Sequence, residues 1–252
     1  MKKTMSRYQA AAIHLSISAT IAALVFLPIY FLWYPGDLFK STGGLDLLLL
    51  VMGVDVTAGP LMTLLVFVQG KKGLVFDLWV IGLLQASFLA YGVFSLAESR
   101  PVYIAFVKDR FELVRANQIP DSVLKDAHVD RYRDLSWTGP RLVGVRFPLD
   151  EDERFKLMVS GMAGVDIQAY PQYHAPYDSV RKDVVAKAAP LPDLAKFNKG
   201  IDVASVAKLV GRPPAGVKFL PLRAGKVDLT VLVDANNGDV LRLVAVKPWE
   251  FE

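Results

Sequence analysis

The sequence predicts a membrane protein in which a three-helix transmembrane bundle is followed by an α+β soluble domain with an antiparallel sheet. Two observations predict this fold class. The 252 residues are 53% hydrophobic and only 21% charged, whereas soluble chains carry about 25% charge. The apolar residues are concentrated in the first hundred positions, and short alternating segments follow them. We therefore predict a membrane domain over residues 1–98 and a soluble domain over residues 99–252.

Three apolar stretches account for the membrane domain. They span about residues 10–34, 45–68 and 74–97. Each is long enough to cross a hydrocarbon core of about 30 Å, which takes roughly 20 helical residues. The first is expected to stay in place as an anchor, because it is too long for a signal peptide and ends in bulky residues. Its Tyr30, Trp33 and Tyr34 are predicted to form an aromatic belt at the membrane interface.

The positions of lysine and arginine predict the orientation of the chain. The basic residues of the N-terminal tail and of the loop between the second and third stretches are Lys2, Lys3, Arg7, Lys71 and Lys72. The loop between the first and second stretches has only Lys40, close to Asp37. Because basic loops stay in the cytoplasm, we expect a cytoplasmic N-terminus. Three crossings then place the soluble domain in the periplasm of a bacterium, anchored in the inner membrane.

Polar residues within the apolar stretches indicate the candidate site. Asp55 lies eleven residues after Gly44, about 16 Å along a helix and near the middle of the membrane. A carboxyl group at that depth is costly in lipid and favours a protein neighbour. Gln85 and Thr20 fall at similar depth, and we predict an Asp55–Gln85–Thr20 cluster. Gly59 and Thr63 extend the Asp55 face at intervals of four residues.

Two interpretations of this face stay open. It holds the three helices together through hydrogen bonds, or it also receives a transmembrane helix of a partner. A catalytic role is not predicted, because intramembrane aspartyl chemistry needs two neighbouring carboxyl groups. Asp46, on the same predicted helix as Asp55, lies about 13 Å from it along the axis.

The composition argues against several other classes of function. The chain has no cysteine and three histidines, which excludes cysteine-based zinc and iron–sulfur sites and a thiol nucleophile. It contains no G-x-S-x-G, H-E-x-x-H or phosphate-loop motif. The basic residues form no block or stripe of the kind that binds nucleic acids. We therefore predict no enzymatic activity, no cofactor, no metal site and no nucleic-acid partner.

The soluble half is predicted to combine strands and short helices. The predicted strands are residues 102–107, 111–114, 141–147, 217–222, 227–233 and 240–246. The predicted helices are residues 150–160, 178–189 and 202–210. Asn236-Asn237-Gly238 predicts a hairpin turn; residues 234–239 resemble half of a calcium loop, but the missing distal glutamate favours a plain turn. Residues 170–177 form an aromatic, proline-rich loop, which either packs its own rings or binds a ligand.

Several segments of the first 103 residues form a specific combination. They are Ser6-Arg7, residues 12–16, 31–36, 43–48, 53–60 and 71–77, Tyr91-Gly92 and residues 98–103. Together they resemble the type IV pilin accessory proteins of the TfpX/TfpZ type, over essentially all of residues 6–115. The resemblance implies an inner-membrane protein that acts on a cognate major pilin during pilus assembly. The family brings no established active site, so none is carried over.

The combined expectation is a non-enzymatic accessory factor that assists type IV pilus assembly or dynamics. The bundle is expected to meet the transmembrane helix of the major pilin, and the soluble domain its globular head. The candidate partner-binding residues are Asp55, Gly59, Thr63, Gln85 and Thr20. Other pilus-assembly membrane proteins and the lipid bilayer are further expected partners. The alternatives are a membrane-anchored periplasmic receptor for a ligand or glycan, and an enzyme that would need two carboxylates facing each other in a cleft.

Overall fold

The computed structural model describes residues 5–250. Lys2 and Lys3, on which part of the predicted orientation depends, lie outside the described residues. The chain forms two compact units. The first runs to Phe31 and resumes over Gly43–Glu98; the second combines Leu32–Thr42 with the residues from Ser99 onward.

The first unit consists of long apolar helices. Helix α1 spans Arg7–Pro28 and continues as a π-helical turn, Ile29–Trp33; after the short helix α2, Leu38–Ser41, helix α3 spans Gly44–Val66 and helix α4 spans Leu74–Glu98. Ser6 begins α1 with a capping box in which its side chain and that of Gln9 bond each other's backbone amides. By length and composition, α1 with its π-helical extension, α3 and α4 can each cross a membrane. The three predicted apolar stretches are confirmed.

Helix α3 is the central element of the first unit, because α1 and α4 both pack against it. At Gly92 of α4, an added Cβ would lie 2.5 Å from the methyl groups of Val51. Only glycine allows this close approach, which is typical of helices that associate in membranes.

The segment between α1 and α3 belongs to the second unit, which corrects the predicted aromatic belt. Tyr34 is only 1% exposed, and its hydroxyl is 3.2 Å from the Ser99 hydroxyl. The indole nitrogen of Trp33 donates to the carbonyl of Trp137 at 2.9 Å. Both rings therefore belong to the soluble domain, and the belt assignment is wrong for the buried Tyr34.

Short helix α2 anchors this segment in the core of the soluble domain. Leu38 is fully buried in the same cluster as Phe106, Phe111 and Leu222. The carbonyl of Ser41 accepts hydrogen bonds from two backbone amides of the loop after Arg223, and Asp37 accepts one from the amide of a C-terminal residue; the three donors are Lys226, Val227 and Ala245. Residues 32–42 thus complete a domain whose other residues begin at Ser99.

Within the described residues, the strands of the soluble unit form one eight-stranded sheet. The strands are β1 (Pro101–Val107), β2 (Arg110–Arg115), β3 (Arg141–Val145), β4 (His174–Pro176), β5 (Ala189–Pro190), β6 (Val217–Arg223), β7 (Leu229–Asp234) and β8 (Val240–Val244). Their order is β4-β3-β1-β2-β6-β7-β8, with β5 also paired to β6. The sheet is mostly antiparallel, as predicted, while β1 with β3 and β2 with β6 run parallel.

The central hairpin β1–β2 is covered on both faces of the sheet. Tyr103 and Ala105 of β1 belong to one buried cluster, whereas Ile104 and Phe106 belong to another. This division follows from the alternation of side chains along a strand. Both faces of β1 are apolar because both are packed, so its sequence lacks the polar residues of a half-exposed strand.

Helices α5 (Asp121–Leu124), α6 (Glu151–Met162), α7 (Arg181–Lys187) and α8 (Val203–Lys208) complete the soluble unit. The helices predicted near residues 150–160, 178–189 and 202–210 are confirmed, with a 3₁₀ turn before α7. Asp150 caps α6 by accepting from the amide of Glu153, and Asp202 caps α8 in the same way. The α+β class predicted for this half is confirmed.

Candidate partner-binding site in the apolar helices

Four of the five predicted site residues come together in the first unit. Asp55, Gly59 and Thr63 are buried along one face of α3, because residues four apart share a helix face. The side-chain nitrogen of Gln85, on α4, donates to the backbone carbonyl of Asp55 at 2.8 Å. A Cβ added at Gly59 would lie within 2.5 Å of the Gln85 amide group, so the absence of a side chain at Gly59 makes room for Gln85.

His14 connects all three helices at this point. Its Nε2 lies 2.7 Å from Oε1 of Gln85, and its Nδ1 lies 2.5 Å from the hydroxyl of Thr63. The carbonyl of Asp55 can only accept, so Gln85 must direct its NH₂ group there and its oxygen toward His14. His14 Nε2 therefore carries a proton and donates it. The Thr63 hydroxyl bonds the other ring nitrogen, Nδ1, so the hydrogen-bonded chain runs from α3 through α1 and α4 back to α3.

Thr20 does not join this cluster, which corrects the predicted Asp55–Gln85–Thr20 arrangement. Its hydroxyl donates to the carbonyl of Ser16 in its own helix at 2.8 Å, and its side chain is exposed. The hydrogen bonds from α1 to this cluster are made by His14 instead.

A cleft of about 220 Å³ opens beside Asp55, between α1 and α4. Its lining is almost entirely apolar, with His14, Asp55 and Gln85 at its polar end. Asp55 is 7% exposed. Its Oδ1 is buried and has no hydrogen-bond donor within reach among residues 5–250. Asp55 thus lines the cleft with a side chain that has one carboxyl oxygen without a partner in the described part of the chain.

Replacing Gly59 by alanine is expected to lower the free energy of unfolding of the helix unit by about 1–3 kcal/mol, because the new methyl group displaces Gln85. Denaturation of the purified protein from mixed micelles, followed by circular dichroism, measures this change. Gly53→Ala is the matched control on the same helix, since nothing lies within 4 Å of its Cβ position. Equal stability of the two variants would contradict the packing of Gln85 over Gly59.

The soluble unit has a cleft of about 470 Å³ that bears on the receptor and enzyme alternatives. Glu112 and Asp166 both line it. Glu112 is already paired, since its Oε1 accepts from Arg110 Nε at 2.7 Å. Burial raises the pKa of the Glu112 carboxyl, while Arg110 acts in the opposite direction. The cleft thus has charged walls, but its most buried carboxyl group serves an ion pair.

The aromatic loop at residues 170–177 packs into the domain. His174 is 3% exposed, and its ring lies edge-on to Tyr103 with a centroid distance of 4.6 Å. Its Nε2 donates to the carbonyl of Gln168 at 2.9 Å. Burial lowers the pKa of His174 to about 4. The Tyr177 hydroxyl donates to the carbonyl of Gly238 at 2.6 Å, so this loop is a structural element.

The segment that resembles half of a calcium loop is a plain turn. Asp234 Oδ1 accepts from the amides of Asn236 and Asn237 at 2.8 and 3.2 Å, and its Oδ2 accepts from Arg212. Gly238 has a φ of 73°, the left-handed conformation that glycine adopts without strain. The predicted hairpin turn between β7 and β8 is confirmed.

Helix α6 presents an apolar stripe that the soluble unit leaves exposed. Phe155, Met158, Val159 and Met162 are 49–83% exposed, and they recur at the spacing of one helix face. The four residues before them, Asp150–Glu153, are acidic and also exposed. An amphipathic helix with its apolar face in solvent indicates an interaction surface.

Three apolar helices that are long enough to cross a membrane and an α+β domain define the class, a membrane-associated protein. Known proteins identify its family. A family model described as "Fimbrial assembly protein FimB" matches residues 2–36. A fimbrial assembly protein of serogroup I from Dichelobacter nodosus is 31% identical over 183 residues, which are 72% of this chain and 71% of that protein.

The chain therefore belongs to the family of fimbrial assembly proteins, a type IV pilus accessory family. A second relative, the serogroup E1 fimbrial assembly protein of Dichelobacter nodosus, is 27% identical over 232 residues, 90% of each chain. The relative of serogroups C1 and C2 is 33% identical over 111 residues, 43% of this chain and 85% of that protein. No solved structure is significantly similar to the chain. The resemblance carried by the sequence segments is confirmed.

Proposed function

We propose that this chain is a non-enzymatic inner-membrane accessory factor that assists type IV pilus assembly or dynamics by interacting with the cognate major pilin. Membership of the fimbrial assembly family supports the role in assembly. The observation that carries the interaction is the cleft between α1 and α4, whose apolar lining includes Asp55 with a carboxyl oxygen that is unpartnered within residues 5–250. The occupant is the transmembrane helix of the pilin.

The soluble domain supplies the second contact, to the globular head of the pilin. The exposed stripe of Phe155, Met158 and Met162 on α6 is its candidate surface. The acidic residues at the start of α6 favour a partner surface that combines apolar with basic side chains. Contacts at both ends of one pilin subunit would hold it as a unit before it joins the pilus.

The proposal includes an orientation of the chain in the inner membrane. Residues 32–42 belong to the soluble domain, so the loop after α1 and the residues after α4 lie on one side of the membrane. Arg7, Lys71 and Lys72 fall on the other side, and their positive charge favours the cytoplasm. Because the natural chain has no cysteine, single cysteines at Lys72 and Lys199 report the topology. An impermeant maleimide should reach the second from the periplasm and not the first.

Photo-crosslinking in intact cells tests the pilin contact. A photoreactive residue at Met52, which lines the cleft, is expected to give a covalent adduct with the major pilin. The same residue at Leu61, on the outer face of α3 and 59% exposed, should give none. In the soluble domain, Met158 should form the adduct and Leu209, which is 49% exposed against 57% for Met158, should not. If pilin is captured at neither Met52 nor Met158, the proposal is wrong.

A further inference from the structure

One oxygen of the Asp55 carboxyl group is buried without a hydrogen-bond donor in the part of the chain that the structure describes. Asp55 is 7% exposed, and no donor among residues 5–250 reaches its Oδ1. A buried polar atom without a hydrogen bond is uncommon in folded proteins and costs free energy. The nearby Gln85 bonds the backbone of Asp55 and not its carboxyl group. The helix unit therefore has an acceptor that it does not satisfy itself.

The depth of Asp55 restricts what can satisfy it. The residue lies eleven positions from each end of α3, Gly44–Val66, or about 16 Å from both ends at 1.5 Å per residue. Lipid headgroups lie near the membrane surface, and acyl chains carry no donors. A donor held at mid-membrane therefore comes from another transmembrane helix.

The walls of the cleft suit a helix. Between the larger side chains of Ile17, Ile21 and Leu89, small residues line the cleft on both sides: Ser18 and Ala22 on α1, and Gly82 and Ala86 on α4. Gly82 has nothing within 4 Å of its Cβ position. Small residues on both walls let a helix backbone approach closely. A fourth helix in this cleft would pack against α1 and α4 over the central helix α3.

We propose that the cleft binds a partner transmembrane helix that brings one hydrogen-bond-donating side chain to mid-membrane, against Oδ1 of Asp55. The inference rests on the proposed function, which names the major pilin as the partner. It adds the chemistry of recognition: the donor at mid-span selects the register of the incoming helix. A helix without a donor at that depth leaves Asp55 unsatisfied and binds less tightly.

The affinity of the full-length chain for the cognate major pilin in lipid nanodiscs tests this. Asp55→Leu removes the acceptor and is expected to weaken binding about three- to twenty-fold, the range of interhelical hydrogen bonds in membranes. Asp55→Asn keeps a carbonyl acceptor of the same shape and should bind more tightly than Asp55→Leu. Thr57→Val is the control, because Thr57 is exposed on α3 and bonds only Gly53 of its own helix.

A double-mutant cycle identifies the donor. Each polar side chain of the pilin helix is replaced by leucine and measured against both wild-type and Asp55→Leu. One position should cost affinity only when Asp55 is present. If wild-type binds pilin but no position couples to Asp55, or if Asp55→Leu binds as wild-type does, the inference is wrong and the proposed function stands. If wild-type itself does not bind pilin, the proposed function and the partner named here both fail.

Discussion

Replacing Leu38 by aspartate is expected to lower the free energy of unfolding of the soluble domain by more than about 4 kcal/mol. Loss of a buried leucine alone costs about 2–5 kcal/mol, and an unpaired buried carboxylate adds to this. Leu38 is fully buried among side chains of the central sheet. The substitution should therefore detach residues 32–42 and open the core that they cover.

Thermal denaturation and limited proteolysis of the purified full-length protein measure this effect. Cleavage should appear in the soluble domain of Leu38→Asp under conditions in which wild-type resists. Lys40→Asp is the matched control, because Lys40 lies on the same short helix and is exposed. If the two variants melt and digest alike, residues 32–42 are not part of the domain core.

Acidification is expected to destabilise the soluble domain through His174, by about 3 kcal/mol between pH 6.5 and pH 4. In the unfolded chain this histidine takes up a proton near pH 6.5. In the folded domain, burial lowers its pKa to about 4, and its buried Nδ1 has no acceptor within reach among the described residues. The unfolded state thus binds the proton first, so stability is complete above pH 6.5 and is lost as the pH falls.

Urea denaturation at pH 7 and pH 4.5 measures the effect by comparing variants. His174→Gln keeps a donor for the Gln168 carbonyl and should show a clearly smaller loss of stability on acidification than wild-type. His128→Gln, at an exposed histidine, should keep the wild-type dependence. Glu112 has the opposite effect on stability, because its pKa is raised in the folded domain and acidification therefore favours the folded state. This contribution is the same in all three proteins compared. An unchanged pH dependence in His174→Gln would rule out this histidine as the source.

The fold was predictable where local signals and packing agree. The long apolar stretches predicted α1, α3 and α4, because crossing a membrane requires one run of apolar residues. The hairpin turn between β7 and β8 was predictable from its Asn-Gly pair. The two parallel pairings, β1 with β3 and β2 with β6, join strands distant in sequence, and no local pattern encodes them.

The candidate site was predictable in part, for a related reason. Asp55, Gly59 and Thr63 lie on one helix, so their shared face follows from spacing alone. The partner on α1 was predicted as Thr20 by matching depths, which assumes that the helices start level. The structure brings His14 to Gln85 and Thr63 instead. The signal in the sequence was His14 itself, because an imidazole ring reaches further than a threonine hydroxyl and its two nitrogens can bond two different helices.

The role of residues 32–42 was missed because their aromatic residues also suit a membrane interface. Trp33 and Tyr34 follow an apolar stretch directly, where an aromatic belt is expected. The better signal was Leu38-Phe39, because two large apolar residues in a short connecting loop indicate burial against another part of the chain. Their burial depends on strands that begin more than sixty residues later in the chain.

That arrangement means that the soluble domain cannot finish folding until most of the chain has been synthesised. Residues 32–42 leave the ribosome first, and their binding site is completed only after two further helices and β1–β8 have been synthesised. A chain whose first loop stayed on the wrong face of the bilayer would lack Leu38 and Tyr34 in its core and could not close the domain. Closure of the domain therefore requires residues 32–42 and the residues after Ser99 to be on the same side of the membrane.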